Sequence, residues 1–339
     1  MFFGRKQISI AMNKVLVIIL FLTSNHLWAQ FISKSKVPGQ PYNKYQFANH
    51  QNNHICTVYL SEFDSQSRLP LIVYIQGSGN SSLFSKDESL RIRPMSGHIS
   101  WNEAVKGKAK LLIIEKPGVE YLDTGGVNFK FDQQFSLTAW SNTIQQAIQI
   151  IIHSELIDTS LILVAGHSEG GLVAATIGNK MKDRISHVAI LAGEGPSQLY
   201  SLYKYADQGV FFNTEILSSS QLRIDSLKSA WKNIMKDPYS VTNKFWGFTY
   251  LRWSSFLSTS VSEQLDDYSG NIFIIQGQAD QQVYPESAVV LYTSLLAKNK
   301  NVQLDMVSGA DHSFKNENNP TCADGWVKSI NKVLNWFIK

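Results

Sequence analysis

The stretch Leu161-Ile162-Leu163-Val164-Ala165-Gly166-His167-Ser168-Glu169-Gly170-Gly171 decides how the rest of the chain is read. Its first five residues are uniformly apolar and bounded by turn formers, the pattern of a strand buried on both faces. Residues Gly171 to Met181 read as a helix, and Gly171, Ala174 and Ala175 let that helix approach a sheet closely. Between the two lies Gly166-His167-Ser168-Glu169-Gly170, which fits G-x-S-x-G. The bare pattern arises by chance in roughly one chain in nine of this length, so its strand-turn-helix setting carries the weight. A turn this tight strains the backbone of the serine. Side chains two residues before and after would strike the neighbouring strand or helix, and the two glycines remove them. The helix start aims N–H groups and a partial positive charge at the same point. Ser168 is therefore the candidate nucleophile; the plainer reading is a Gly-rich turn with Ser168 as a helix cap.

Outward from this point, strand-like and helix-like segments alternate. His54 to Leu60, Leu71 to Gln76, Leu111 to Glu115, Val188 to Ala192, Ile272 to Gln276 and Val302 to Val307 read as strands. Leu137 to Ile152, Ala288 to Ala297 and Val327 to Phe337 have apolar residues at helical spacing. Such alternation predicts an α/β fold, a mostly parallel sheet flanked by helices. Sites in these folds lie beyond the carboxyl ends of the strands. Residues 31–44 read as an irregular polar lead-in, with Pro38, Gly39 and Pro41. Residues 197–261 break the alternation; they hold no convincing central strand and many aromatic residues, among them Phe211, Trp246, Phe248 and Trp253. They predict a helical cap inserted in a core formed by residues 30–196 and 262–339.

A serine hydroxyl needs a general base at neutral pH. Two histidines follow Ser168. His187 begins a strand, at the end away from the site. His312 follows Val302–Val307 through Ser308-Gly309-Ala310-Asp311, at the correct end, and is the candidate base. The acid to orient it is expected beyond a strand end between the two. Asp280, in Gly277-Gln278-Ala279-Asp280, is preferred; Glu194, in Gly193-Glu194-Gly195, is the rival. Asp311 adjoins His312 and is read as shaping the loop. Acyl transfer also needs N–H donors for the developing oxyanion. The backbone of Glu169 supplies one, and the loop Gln76-Gly77-Ser78-Gly79 supplies the second, from Ser78 before Gly79. A phosphate cradle there would need a Lys-Ser/Thr pair soon after, and Lys86 is followed by Asp87.

Taken together, Gln76-Gly77-Ser78-Gly79, Gly166-His167-Ser168-Glu169-Gly170-Gly171, Gly277-Gln278-Ala279-Asp280 and Gly309-Ala310-Asp311-His312 resemble the α/β-hydrolase superfamily, over roughly residues 54–339. The likeness is to exported, capped, esterase-like and peptidase-like members. It implies eight strands in the order 1-2-4-3-5-6-7-8, a covalent acyl-enzyme and a cap at residues 197–261. Many members carry His-Gly where this chain has Gln76-Gly77. The loop Glu115-Lys116-Pro117-Gly118-Val119 also lacks the Asp-x-Arg-Gly form of many peptidase-like members, which tilts the reading toward an esterase. The implied order sets Cys56, on strand 2, about six strand spacings or ~29 Å from Cys322, beyond strand 8. A bridge needs Cα atoms within ~7 Å, which argues against one, although the loop after His312 closes part of the gap.

The remaining features bound the function. The 339 residues are 44% hydrophobic and 17% charged, a globular composition, with a formal charge of +4. Lys and Arg are scattered, so no basic stripe would track a nucleic acid. Arg5, Lys6 and Lys14, the apolar run Val15 to Leu22, and Leu27-Trp28-Ala29 before Gln30 predict a signal peptide over residues 1–29 and export to the periplasm or beyond. Met12 offers an alternative start. The run is short of the ~20 apolar residues of a membrane anchor. Histidines do not cluster with cysteines or carboxylates, so no metal and no cofactor are expected. The first reading is an esterase acting on a small-molecule acyl substrate; the aromatic cap suits an apolar or aromatic group, and equally suits plain packing. An N-terminal peptidase would need a carboxylate for the substrate amine, Glu215 or Glu169. A thioesterase or acyltransferase uses the same residues, and a non-catalytic binding protein would lack one of them.

Overall fold

The computed structural model describes residues 31–63, 67–212, 214, 216, 218–316 and 324–339. The expected signal peptide, Glu215 and Cys322 lie outside them. Thirteen strands are described: β1 (Phe31–Lys36), β2 (Tyr42–Ala48), β3 (Ile55–Ser61), β4 (Leu69–Ile75), β5 (Phe84–Lys86), β6 (Ile92–Pro94), β7 (Lys110–Ile114), β8 (Ile157–His167), β9 (His187–Leu191), β10 (Lys244–Phe245), β11 (Phe248–Thr249), β12 (Asn271–Gly277) and β13 (Val302–Val307). The helices are α1 (His98–Val105), α2 (Phe129–Gln134), α3 (Leu137–Ser154), α4 (Glu169–Lys180), α5 (Leu199–Gln208), α6 (Ser220–Lys236), α7 (Tyr250–Leu257), α8 (Val261–Gln264), α9 (Glu286–Ala297) and α10 (Gly325–Phe337).

Nine strands form one sheet in the order β1-β2-β3-β7-β4-β8-β9-β12-β13. From β2 onward this is the expected order; β1 is an added edge strand. Residues 31–44 are thus not an irregular lead-in. They supply β1 and the start of β2, which pair antiparallel, and Pro38 and Gly39 sit in the turn between them. The polar residues of β1 suit an edge, where one side of the strand faces water.

From β7 to β13 the pairs are parallel, and alternate side chains feed the two faces. Leu71, Val73 and Ile75 of β4 and Ile162 and Val164 of β8 join one cluster with Ile144 and Ile148 of α3 and Leu172 and Val173 of α4. Ile72 and Tyr74 of β4 and Leu163 and Ala165 of β8 join the other, with Trp101 of α1 and Ile330 and Leu334 of α10. The chain leaves β4 toward β7 and returns to β8 on the other side, so the order reverses between β4 and β8. A crevice opens outside the carboxyl ends of strands at such a point. Between β9 and β12 the segment α5–α8 is helical apart from the two-residue hairpin β10–β11. It has its own apolar cluster of Leu202, Leu227, Ile234, Trp253 and Leu257. No helix among the described residues is long and apolar enough to cross a membrane.

Candidate active site

β8 ends at His167 and α4 begins at Glu169, so Ser168 alone makes the turn. Its backbone sits at φ 56°, ψ −127°, a conformation that costs a non-glycine residue about 1–3 kcal/mol. The neighbours over-determine it: Ser168 N–H donates to the Leu191 carbonyl at 2.9 Å, and its carbonyl accepts from Gly171 N–H at 2.8 Å. A Cβ on Gly166 would lie 2.0 Å from the Gly170 carbonyl oxygen, and one on Gly170 would lie 2.5 Å from that of Ile75. Both obstacles are backbone and cannot swing aside, so the two glycines are required here for steric reasons.

His312 and Asp280 meet beyond β13 and β12. His312 Nδ1 lies 2.8 Å from Asp280 Oδ2. A carboxylate only accepts, so Nδ1 carries the proton and Nε2 of the neutral ring is left as a base. The Asp280 carboxylate is itself held firmly: Oδ2 also accepts from Gln276 Nε2 at 2.9 Å, and Oδ1 accepts from the backbone N–H groups of Gln282 at 2.7 Å and Val283 at 3.0 Å. The Asp280 side chain has no exposed surface. His167 supports His312 from the other side. Its Nε2 donates to the His312 carbonyl at 3.0 Å, and burial beside His312 lowers its pKa to about 4, keeping it neutral.

The rival positions are placed elsewhere. Glu194 is buried, and burial, then the nearby Asp280 charge, holds its carboxyl well above the usual range; it makes no hydrogen bond with His312 among the described residues. His187 lies at the start of β9, against Trp336 and Phe337. Asp311 Oδ1 accepts from the N–H groups of Ser313 and Lys315 and shapes the loop, as expected.

The loop after β4 runs against the nucleophile. A Cβ on Gly77 would lie 3.0 Å from Ser168 Cβ, so this backbone passes as close to Ser168 as a glycine permits. Two buried residues at the end of β7 secure the loop. Glu115 accepts from Ser82 Oγ at 2.5 Å and from Leu83 N–H at 3.1 Å, and burial raises its pKa to about 7 against those hydrogen bonds. Lys116 Nζ donates to the carbonyls of Gly77 at 2.5 Å and Gly79 at 2.7 Å. Gln76 Nε2 reaches the Ile114 carbonyl at 3.4 Å. On the opposite side, the Glu169 carboxylate is paired with Arg252 of α7, and both side chains are almost wholly buried.

Two cavities meet at Ser168, Ser78 and Gln282. One, of about 430 Å³, lies under the inserted helices, with Leu202, Phe211, Trp246, Phe248 and Trp253 in its wall. The other, of about 500 Å³, runs along His312, with Tyr74, Ser96, Lys315 and Trp326. Ser168 lines both; His312 lines only the second. Of the carboxylates considered for a substrate amine, Glu169 is committed to Arg252. Sequence reasoning missed the parts played by Lys116, Arg252 and Gln276. Lys116 and Gln276 lie at the carboxyl ends of β7 and β12, where sites gather, and that position was the available signal.

The sequence matches the model of the prolyl oligopeptidase family (Peptidase_S9) over residues 228–338, a third of the chain that includes Asp280 and His312. None of the curated proteins compared matches it. Among solved structures it is similar to Est1E from Butyrivibrio proteoclasticus with ferulic acid bound, at 15% identity and TM-score 0.54, over 91% of this chain and 99% of that one. It is similar to esterase Est22 at 17% identity and TM-score 0.56, over 88% and 80%. It is also similar to the acylaminoacyl peptidase of Pyrococcus horikoshii at 12% identity and TM-score 0.59, over 88% of this chain but 42% of that one. With the sheet order and the turn at Ser168, these likenesses give the chain the α/β-hydrolase fold.

Proposed function

We propose that the chain is a serine hydrolase that cleaves a carboxylic ester through an acyl-enzyme on Ser168. The observation that carries this reading is a strained serine sharing a cavity with a histidine whose Nδ1 is 2.8 Å from a fully buried carboxylate. Ser168 Oγ attacks the carbonyl carbon while His312 Nε2 takes its proton, and Asp280 stabilises the imidazolium. The N–H groups of Glu169 and Ser78 receive the oxyanion. As the tetrahedral intermediate collapses, His312 returns the proton to the departing alcohol. Water then cleaves the acyl-enzyme by the same steps reversed. Because His312 must protonate the leaving oxygen, the alcohol lies in the cleft along His312. The acyl group lies under the inserted helices, against Phe211, Trp246 and Phe248, which favours an apolar or aromatic acyl group.

The second reading is a serine peptidase, favoured by the family match over residues 228–338. Against its N-terminal form, one of the two candidate carboxylates, Glu169, is paired with Arg252; the other, Glu215, lies outside the described residues. The test compares p-nitrophenyl acetate, butyrate, octanoate and cinnamate with aminoacyl-p-nitroanilides, using Ser168→Ala as the blank. Ester turnover that Ser168→Ala abolishes, rising from acetate to cinnamate, is expected. Preference for the anilides would move the reading to the peptidase, and full activity in Ser168→Ala would remove Ser168 as nucleophile.

A further inference from the structure

Lys116 is a long cationic side chain with nothing to do in the chemistry above, yet it is only 3% exposed. It follows β7, the strand beside β4, so the ends of the two strands lie side by side. Its Nζ lies over the rings of Trp140 and Phe135, 4.9 and 5.5 Å from their centroids. Nζ ends between two carbonyls of the loop after β4, those of Gly77 and Gly79. That loop is the one whose backbone abuts Ser168.

The peptide plane gives this contact its meaning. The described peptide bonds are all trans, and across a trans peptide the C=O and N–H point in opposite directions. The Gly77 carbonyl and the Ser78 N–H belong to one such plane. With the Gly77 carbonyl bonded to Lys116, the Ser78 N–H of the same plane points the opposite way, away from Nζ. Without an anchor the orientation would be poorly determined. Gly79 sits at φ +107° with open space around its Cα, and glycines on both sides of Ser78 make rotation of the intervening peptides cheap.

We propose that Lys116 is the positioning residue of the oxyanion loop, holding the Gly77 and Gly79 carbonyls away from Ser168 so that the Ser78 N–H faces the oxygen that gains charge during acyl transfer. The proposal rests on the serine-hydrolase reading given above. A neutral amine keeps two N–H donors and an ammonium has three, so both carbonyls can be held in either state. This accommodates the environment: burial and the Arg252 charge lower the Lys116 pKa to about 7, with Glu115 opposing. The Asp-x-Arg-Gly form absent from Glu115-Lys116-Pro117-Gly118 is therefore replaced by a residue with a specific task.

The test uses Lys116→Met, which keeps an unbranched apolar side chain and removes the donors, and Lys116→Arg, which keeps donors in a different geometry. Steady-state kinetics on p-nitrophenyl butyrate are read beside inhibition by an alkyl trifluoromethyl ketone, whose adduct with the serine carries the oxyanion. Losing one oxyanion donor costs about 10²–10³ in kcat. Lys116→Met is expected to lose on the order of 10² in kcat, to weaken ketone inhibition by a similar factor, and to keep KM within about threefold. Lys116→Arg is expected to fall between it and the wild type. A purely structural role would not shift the ketone and the substrate so differently. Wild-type kcat and ketone affinity in Lys116→Met would overturn the proposal. Should that variant not fold, the same two quantities unchanged in Lys116→Leu, which also lacks a donor, would do so. A wild-type protein that neither turns over esters nor binds the ketone would remove the serine-hydrolase reading and this proposal with it. A normal wild type with an undiminished Lys116→Met removes this proposal alone.

Discussion

Replacing Asp280 with Asn tests the site at the point where the geometry makes the sharpest demand. The substitution exchanges one carboxylate oxygen for an NH₂ group, and the neighbours decide which. At Oδ1 the NH₂ would face the backbone N–H groups of Gln282 and Val283, which cannot reorient. At Oδ2 it would face Gln276 Nε2 and His312 Nδ1. Gln276 can flip its amide, giving up a 3.2 Å bond to the Gly277 carbonyl. His312 can move its proton from Nδ1 to Nε2. The NH₂ therefore takes the Oδ2 position, and His312 presents an N–H, instead of a lone pair, toward Ser168. The fold survives this, because the amide, Gln276 and His312 still bond to one another; the bond lost at the Gly277 carbonyl and weaker bonds to a neutral acceptor cost about 1–2 kcal/mol. Catalysis does not, because a base in the wrong tautomer cannot take the serine proton. A loss of about 10⁴ in kcat is expected, equivalent to ~5.5 kcal/mol of transition-state stabilisation. The assay is Ser168-dependent ester hydrolysis at pH 8 beside a thermal melt, where a midpoint within several degrees of wild type is expected. A variant within tenfold of wild-type kcat would show that another group orients His312.

Glu194→Gln should behave oppositely. Burial holds the Glu194 carboxyl well above the usual carboxylate range, and it makes no hydrogen bond with His312 among the described residues; kcat on an ester within about threefold of wild type is expected, and a 10⁴ loss would instead make Glu194 the acid. Acid should weaken the fold below pH 6.5. The His98 ring is buried between Tyr42 OH at 2.9 Å and the Leu83 carbonyl at 3.0 Å, and burial lowers its pKa from 6.5 to about 4. The unfolded state therefore binds the extra proton, and stability is full above pH 6.5 and lost as pH falls toward 4. At 1.36 kcal/mol per pH unit this reaches about 3 kcal/mol for His98. His167, part-exposed at the cleft, acts in the same direction. Urea midpoints at pH 7.5, 6 and 5 measure this, and a constant midpoint would refute it.

The parts of the site legible in the sequence are those fixed by local stereochemistry and chain order. Gly166 answers to the Gly170 carbonyl within the same turn, and Gly170 to the Ile75 carbonyl of the neighbouring strand β4. Asp280 and His312 follow the expected strands, in the order that the parallel sheet imposes. The strand cores of β4 and β8 were legible because both faces are buried and the apolar run is unbroken. The edge was not. In β1, Ser33 to Lys36 carry polar side chains because one side faces water, and Pro38 and Gly39 look like irregular chain when they form a hairpin turn. The contacts that hold the site were also out of reach. Lys116 meets a carbonyl 39 residues away, and Arg252 meets a carboxylate 83 residues away. Neither pairing leaves a periodicity or a spacing, because each exists only once the fold has brought distant segments together.

Those long-range contacts bear on what the inserted helices do. They wall the cavity beneath them, but they also grip the loops that hold the chemistry. Tyr205 of α5 donates to the Asp280 carbonyl, Ser201 accepts from the Tyr284 N–H at 2.8 Å, and Arg252 of α7 pairs with the residue after Ser168. Two of them lie beside a residue of the wall: Ser201 precedes Leu202, and Arg252 precedes Trp253. A change made to reshape the cavity at Leu202 or Trp253 will therefore be transmitted to Asp280 or to the turn at Ser168. A helical lid free to swing would let selectivity and turnover vary separately. A segment bonded to the loop of Asp280 and to the turn at Ser168 ties them together, so substitutions in this wall should alter kcat along with acyl preference.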